Sequence, residues 1–168
     1  ITDAGLKEVA QLQQLTSLNL MNTRITDAGL KEVAKLQQLT SLYLERTQIT
    51  DAGLKEVAKL QKLTSLYLSR PFLSSGRTQI TDAGLKELAG LKLQSLVIPD
   101  SAKTDLGLKH YLAAITPPID LDLSKWHITD AGLKEVAQLQ QLTSLDLIFC
   151  KQITDAGVAE LKKALPKC

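Results

Sequence analysis

Very little in this sequence is suited to chemistry. Aromatic residues are 4% of its 168 positions, and there are only two His, two Cys, one Met and one Trp. Cys150 and Cys168 are too few for a disulfide framework and have no metal-site spacing. His110 and His127 belong to no His-x-x-x-His or Glu-x-x-His pattern, so neither a catalytic nor a metal site is expected, and no cofactor is implied. Charge of one sign is also missing: 20 Lys and Arg face 18 Asp and Glu, a formal net charge of +2. That balance gives no steering toward nucleic acid or an anionic membrane. Lys7, Lys31, Lys55 and Lys134 stand beside Glu8, Glu32, Glu56 and Glu135, a solvated mixed-charge face rather than a basic stripe. No apolar run approaches the ~18 residues of a membrane span, so no membrane insertion is expected. No signal peptide is expected from the first residues given. The chain opens on a repeat without an initiator Met, as expected of a fragment, a processed chain or a trimmed product. The compartment is left open.

Repetition is what the sequence has. Ile-Thr-Asp-Ala-Gly-Leu stands at residues 1–6, 25–30, 49–54, 80–85 and 128–133, returns as Ile153–Val158, and is degraded at Lys103–Leu108. Successive starts lie 24, 24, 31, 23, 25 and 25 residues apart. A fixed period in this range marks a stacked-repeat architecture. Residues 1–18 and 128–145 are identical, which implies recent duplication or consensus-style construction.

The unit Ile25–Gln48 serves as a template. Its first half reads as a helix, with Thr26 and Asp27 as cap types and Asp27 suited to the positive end of the helix dipole. Leu30, Val33 and Ala34 form one apolar stripe. Asp27 and Lys31 are spaced to pair at i, i+4. Gly29 costs roughly 0.5–1 kcal/mol against Ala, and its recurrence predicts close helix-to-strand packing. The second half reads as a short strand. Leu39, Leu42 and Leu44 point inward, and Ser41 and Tyr43 point outward.

The frame Leu-x-x-Leu-x-Leu-x-x-Thr-x-Ile matches the leucine-rich repeat, with Thr in the Asn/Cys slot. Over nearly its whole length the chain resembles leucine-rich-repeat proteins. The Ile-Thr-Asp-x-Gly-Leu variant looks most like the cysteine-containing subclass of F-box-type adaptors and the ribonuclease-inhibitor-like horseshoes, a motif that many bacterial repeat proteins share. Leu145-x-Leu147-x-x-Cys150-x-x-Ile153 carries the Cys and the longer spacing of that subclass. The resemblance implies an α/β right-handed solenoid, or horseshoe, with a parallel β-sheet on the concave face and α-helices on the convex face. It also implies adaptor or inhibitor roles, although no F-box segment is present.

One domain spanning residues 1–168 is expected. It has six strand-bearing repeats starting near 1, 25, 49, 80, 103 and 128, and a C-terminal capping helix over 153–165. At ~4.8 Å per strand the concave sheet would run about 25 Å. The bare N-terminal unit is consistent with a monomer or with weak end-to-end self-association.

Three irregularities interrupt the pattern. Seven extra residues around Arg70–Arg77 form a loop at the rim, with Phe72 and Arg77 as candidate contacts. Pro99 and Thr116-Pro117-Pro118 disturb the fourth and fifth units. Trp126 takes the small Thr slot, which predicts a distorted turn and a partly exposed ring.

Outward strand positions vary while the scaffold stays constant. The central row reads Asn19, Tyr43, Tyr67, Val97, Asp122, Asp146, and the next reads Met21, Glu45, Ser69, Pro99, Ser124, Ile148. Asn19, Tyr43, Glu45, Arg46, Tyr67, Arg70, Asp122 and Asp146 are therefore the candidate partner-binding residues, since Tyr and Arg are favoured at interface hot spots. Asp122 and Asp146 would be lateral neighbours about 5 Å apart. An open sheet gives such a carboxylate pair no pocket wall and no third group, so a cation-reading patch is expected there rather than acid–base catalysis. The expected function is a non-catalytic protein–protein interaction module with an unidentified protein partner on the concave face, not an enzyme. The alternative is a structural spacer within a larger multidomain protein.

Overall fold

The computed structural model describes residues 1–69 and 78–168. Helices and three-residue strands alternate along them. The helices are α1 (Asp3–Val9), α2 (Asp27–Val33), α3 (Asp51–Val57), α4 (Asp105–Ala114), α5 (Asp130–Val136) and α6 (Asp155–Ala164). The strands are β1 (Ser17–Asn19), β2 (Ser41–Tyr43), β3 (Ser65–Tyr67), β4 (Ser95–Val97), β5 (Asp120–Asp122) and β6 (Ser144–Asp146). All pairings are parallel and in phase with the repeat, so Leu18, Leu42, Leu66 and Leu96 stand side by side, as do Leu121 and Leu145. Between sheet and helices lies a column of buried Leu and Ile, including Leu39, Leu42, Leu44 and Ile49. This is the α/β leucine-rich-repeat solenoid that the resemblance implies. No helix among the described residues is long and apolar enough to cross a membrane.

The hexapeptide acts across repeats as well as within one. Thr26, Thr50 and Thr129 cap their own helices by accepting from the Ala two residues on. The same Thr also binds the Asp of the preceding repeat. The Thr50 N–H donates to Asp27 Oδ1 at 2.8 Å, and its hydroxyl donates to Oδ2 at 2.7 Å. Thr26 on Asp3, Thr81 on Asp51, Thr129 on Asp105 and Thr154 on Asp130 repeat the arrangement, and Thr104 keeps its hydroxyl bond to Asp82. The expected Asp27–Lys31 pair does not form, because the carboxylate is committed to the next repeat. The surface pairs are Glu32–Lys35 and Glu56–Lys59 instead.

The recurring Gly has a corrected explanation. A Cβ on Gly29 would overlap the Asp3 carboxylate and approach Leu6 Cδ1 to 2.8 Å. Gly53 meets Asp27 and Leu30 in the same way. The close approach is therefore helix to preceding helix, at the Asp–Thr link, and not helix to strand.

Local departures from the regular expectation gather in the fourth and fifth repeats. The fourth repeat forms a 3₁₀ segment, Gly84–Leu88, in place of an α-helix. Its repeat is the shortest, and a 3₁₀ turn rises ~2.0 Å per residue against ~1.5 Å, so fewer residues span the same layer. A second 3₁₀ turn, Asp100–Ala102, precedes α4. The sheet is also not continuous: β1-β2-β3-β4 form one and β5-β6 another. Elsewhere two successive N–H groups before each strand bind one carbonyl of the previous repeat, as Thr64 and Ser65 do on Thr40 O. Before β5 this link carries Pro117 and Pro118, which lack an N–H and fix the backbone. Thr116 binds Leu93 O there instead. The expected uninterrupted six-strand surface is thus two surfaces.

The fifth-repeat turn is regular, contrary to expectation. Lys125 has φ 64°, matching Asn22 at 57°, Arg46 at 56° and Phe149 at 64° in the corresponding positions. Trp126 is buried, with only 6% of its surface exposed. Its ring meets Tyr111 edge-on at 5.4 Å and 75°. The indole occupies the slot that Thr fills elsewhere and packs against Tyr111 of the same repeat.

Candidate functional site on the concave sheet

Period-2 alternation carries Tyr43 and Tyr67 outward while their Leu neighbours enter the core. In-phase parallel pairing sets the two Tyr side by side. Their rings stack with centroids 4.6 Å apart and planes 3° from parallel. Such a pair contributes about 0.5–1.5 kcal/mol beyond the area it buries. Ser95 Oγ lies 3.4 Å from Tyr67 Oη.

Asn19, Asp122 and Asp146 occupy the same row and do something different. Asn19 Oδ1 accepts from Met21 N at 3.0 Å, Asp122 Oδ1 from Ser124 N at 2.8 Å, and Asp146 Oδ1 from Ile148 N at 2.8 Å. Each closes an Asx turn that leads the chain into the following left-handed residue. These three side chains are therefore partly structural. Asp122 is held below the usual carboxylate range, first by its hydrogen bonds to Ser124 and then by Lys103 and Lys125 nearby. Asp122 and Asp146 are register partners. Asp122, held in its ionised form, offers no protonated acid at neutral pH, and its chemistry is attraction of cations.

Glu45 differs from every other member of its row. It is 7% exposed, and its Oε2 is enclosed without a hydrogen-bond partner. Adjacent Arg46 is half-buried and makes no ion pair among the described residues. The candidates Arg70, Phe72 and Arg77 lie outside the described residues. Thr78, just after them, has a buried hydroxyl without a partner. The hydroxyls of Thr23 and Thr47, in the same slot, donate to Leu20 O and Leu44 O.

The structure brings Asn19, Tyr43 and Tyr67 onto the first sheet, with Glu45 just past the end of β2, and Asp122 and Asp146 onto the second. Two exposed side chains that the sequence reading did not single out, Ile148 (58%) and Phe149 (65%), sit at the rim beyond β6. For Phe149 the signal is a large apolar residue at a position where the other repeats carry Asn, Arg, Arg, Asp and Lys. Asp100 pairs with Lys103 at 2.7 Å.

Of the remaining reactive side chains, His110 and Cys150 are engaged structurally. His110 Nδ1 lies 2.8 Å from Asp82 O. Cys150 Sγ donates to Leu123 O at 3.1 Å, and burial raises its pKa. Cys168 is a free, exposed thiol. No cluster of three or more His, Cys, Asp or Glu able to hold a metal occurs among the described residues.

Comparison with known proteins agrees with this geometry. Residues 13–70 match a leucine rich repeat family model, and residues 138–162 match a second one. No curated protein matches the chain. Among solved structures, an internalin of Listeria monocytogenes is similar at 25% identity and TM-score 0.54, over 94% of this chain and 48% of that one. A leucine-rich-repeat protein of Leptospira interrogans is similar in fold at 20% identity and TM-score 0.51, over 96% of this chain and 50% of that one. The chain spans about half the length of both.

Proposed function

We propose that this chain, a leucine-rich-repeat solenoid, is a non-catalytic binding module that receives a protein partner on its concave face. Leucine-rich-repeat domains generally mediate protein–protein interaction, and their structural neighbours here are of the same kind. The observation that carries the reading is the Tyr43–Tyr67 stack. Two large amphipathic rings are held outward in a fixed arrangement by the register, which is the rigid, low-entropy anchor that interfaces favour. Asp122 and Asp146 add a separate negative surface on the second sheet, which supports orientation of a partner by charge. The open sheet and the structural engagement of His110 and Cys150 support a non-catalytic role. The finer assignment to the cysteine-containing, ribonuclease-inhibitor-like subclass is supported by Cys150, whose thiol bonds back to the preceding repeat.

The test is a pull-down from the source organism with the native chain and a variant combining Tyr43→Ala, Tyr67→Ala, Asp122→Asn and Asp146→Asn. Asn preserves the Asx turns, so far-UV circular dichroism should be unchanged while capture is lost. Equal capture by both proteins rules out the concave site, and no capture by either leaves the spacer role.

A further inference from the structure

We infer that Glu45, with the neighbouring Tyr43–Tyr67 stack, forms a receptor for a single basic side chain, a Lys ammonium or an Arg guanidinium presented by the partner. The inference rests on the concave face being the partner surface and specifies what part of that face recognises.

The argument begins with what Glu45 lacks. An ionised carboxylate is an acceptor-only group with room for about four hydrogen bonds. Glu45 is nine-tenths buried, and its Oε2 has no donor. No ion pair among the described residues includes it, although Arg46 is its sequence neighbour. Buried charges are ordinarily paired because removal from water is costly. A group left in this state is completed by a donor, and most strongly by a charged one.

The surroundings select the sign and kind of donor. Tyr43 closes β2, and Glu45 lies two residues on, in the turn that follows the strand. The stacked rings of Tyr43 and Tyr67 present π surface there, which attracts cations and repels anions. A metal ion is a poor fit, since it needs several oxygen or nitrogen ligands and no suitable cluster occurs among the described residues. A primary ammonium or guanidinium on an apolar stem uses both features: the stem and charge lie against the rings, and an N–H donates to the carboxylate. The corresponding positions elsewhere are Met21, Ser69, Pro99, Ser124 and Ile148, so no other repeat offers a carboxylate in this slot.

The experiment is a titration of the whole ¹⁵N-labelled chain, followed by two-dimensional NMR, with three N-acetylated, C-amidated tripeptides: glycyl-lysyl-glycine, glycyl-arginyl-glycine and glycyl-norleucyl-glycine. The Lys or Arg peptide should give saturable shifts centred on residues 43–46 and 67, and the norleucine peptide should give none there. Preference between the two basic peptides identifies the cation. Glu45→Gln, which keeps shape and loses charge, should weaken binding about tenfold or more. The double variant Tyr43→Ala, Tyr67→Ala should weaken it about threefold. Glu45→Gln should also leave the melting temperature unchanged or raise it, because a buried charge is removed; this separates lost recognition from lost folding. Shifts centred on Asp122 and Asp146, equal shifts from norleucine, absence of saturable shifts, or undiminished affinity in Glu45→Gln each overturn the inference. Partner capture that survives Glu45→Gln but fails in the four-residue concave variant overturns this inference and leaves the broader binding function standing.

Discussion

The Asp–Thr link between repeats should be worth several times a surface contact, and two chemically identical substitutions measure it. Asp27 and Asp155 open α2 and α6 at the same helix position, with the same favourable placement on the helix dipole. Asp27 also accepts two hydrogen bonds from Thr50, at 2.8 and 2.7 Å. Asp155 is exposed, with no side-chain hydrogen bond or ion pair among the described residues. Asp155→Ala should therefore lose only the dipole contribution, about 0.3–1 kcal/mol. Asp27→Ala loses that as well, together with two bonds to a charged acceptor, and leaves the Thr50 N–H without a partner. Bonds to charged groups contribute about 1.5–3 kcal/mol each when well shielded, and both residues here are only half-buried. A total near 2–4 kcal/mol follows for Asp27→Ala. Urea unfolding followed by circular dichroism is the assay. With a slope of about 2–3 kcal/mol/M, the midpoint should fall by roughly 1 M for Asp27→Ala and by a few tenths for Asp155→Ala. The double variant with Thr50→Val should show non-additivity of about 1 kcal/mol or more. Equal midpoints for the two Ala variants would refute the idea that the carboxylate ties one repeat to the next.

Two further outcomes follow from the same link. Gly29→Ala should destabilise by about 1–3 kcal/mol despite the better helix propensity of Ala, because its Cβ has no room beside the Asp3 carboxylate. Gly5→Ala, which meets only the exposed Ile1 side chain at 3.2 Å, should be neutral or slightly stabilising; thermal melts of the two variants decide. Asp130 is held below the ordinary Asp value of 3.8, first by the Thr154 hydroxyl and then by the Thr154 N–H. A depressed folded-state pKa gives stability that is fully present above the unfolded value and is lost as pH falls through the folded one. Stability should thus decline below about pH 4, and Asp130→Asn should flatten that decline in urea titrations at successive pH values.

The solenoid was legible because each repeat states it in the same way. Leu at period 2 followed by Leu and Val at helical spacing leaves one arrangement that buries both stripes, and the repeat then forces stacking. The Asp–Thr link was not legible by that route. Reading Asp27 locally offers Lys31 as its partner, four residues away, whereas its real partner is 23 residues on and becomes adjacent only once the stack exists. Trp126 misled for a related reason. Judged by its slot it is too large for a Thr position, but it packs edge-on against Tyr111, a second large ring from the same repeat. Two deviations within one repeat compensate each other, and neither is interpretable alone.

The outward rows show how a correct geometric reading can still misassign roles. Alternation placed Asn19, Tyr43, Tyr67, Asp122 and Asp146 on one face, and the strands set them there. The sequence also carried a signal that divides them. Asn and Asp bind the backbone two residues ahead, and in each of these repeats the third residue on adopts a left-handed conformation. Tyr cannot close that turn. At the two repeats where Tyr replaces Asx, the polar side chain that would have served the backbone is exchanged for an outward ring that stacks on its twin. A repeat array that fills two successive turn-forming positions with stacked rings, and encloses an unpaired carboxylate in the turn after one of them, has spent local stability on a surface. That concentration of departures, more than any one side chain, makes the β2–β3 region the part of the scaffold where recognition is best placed.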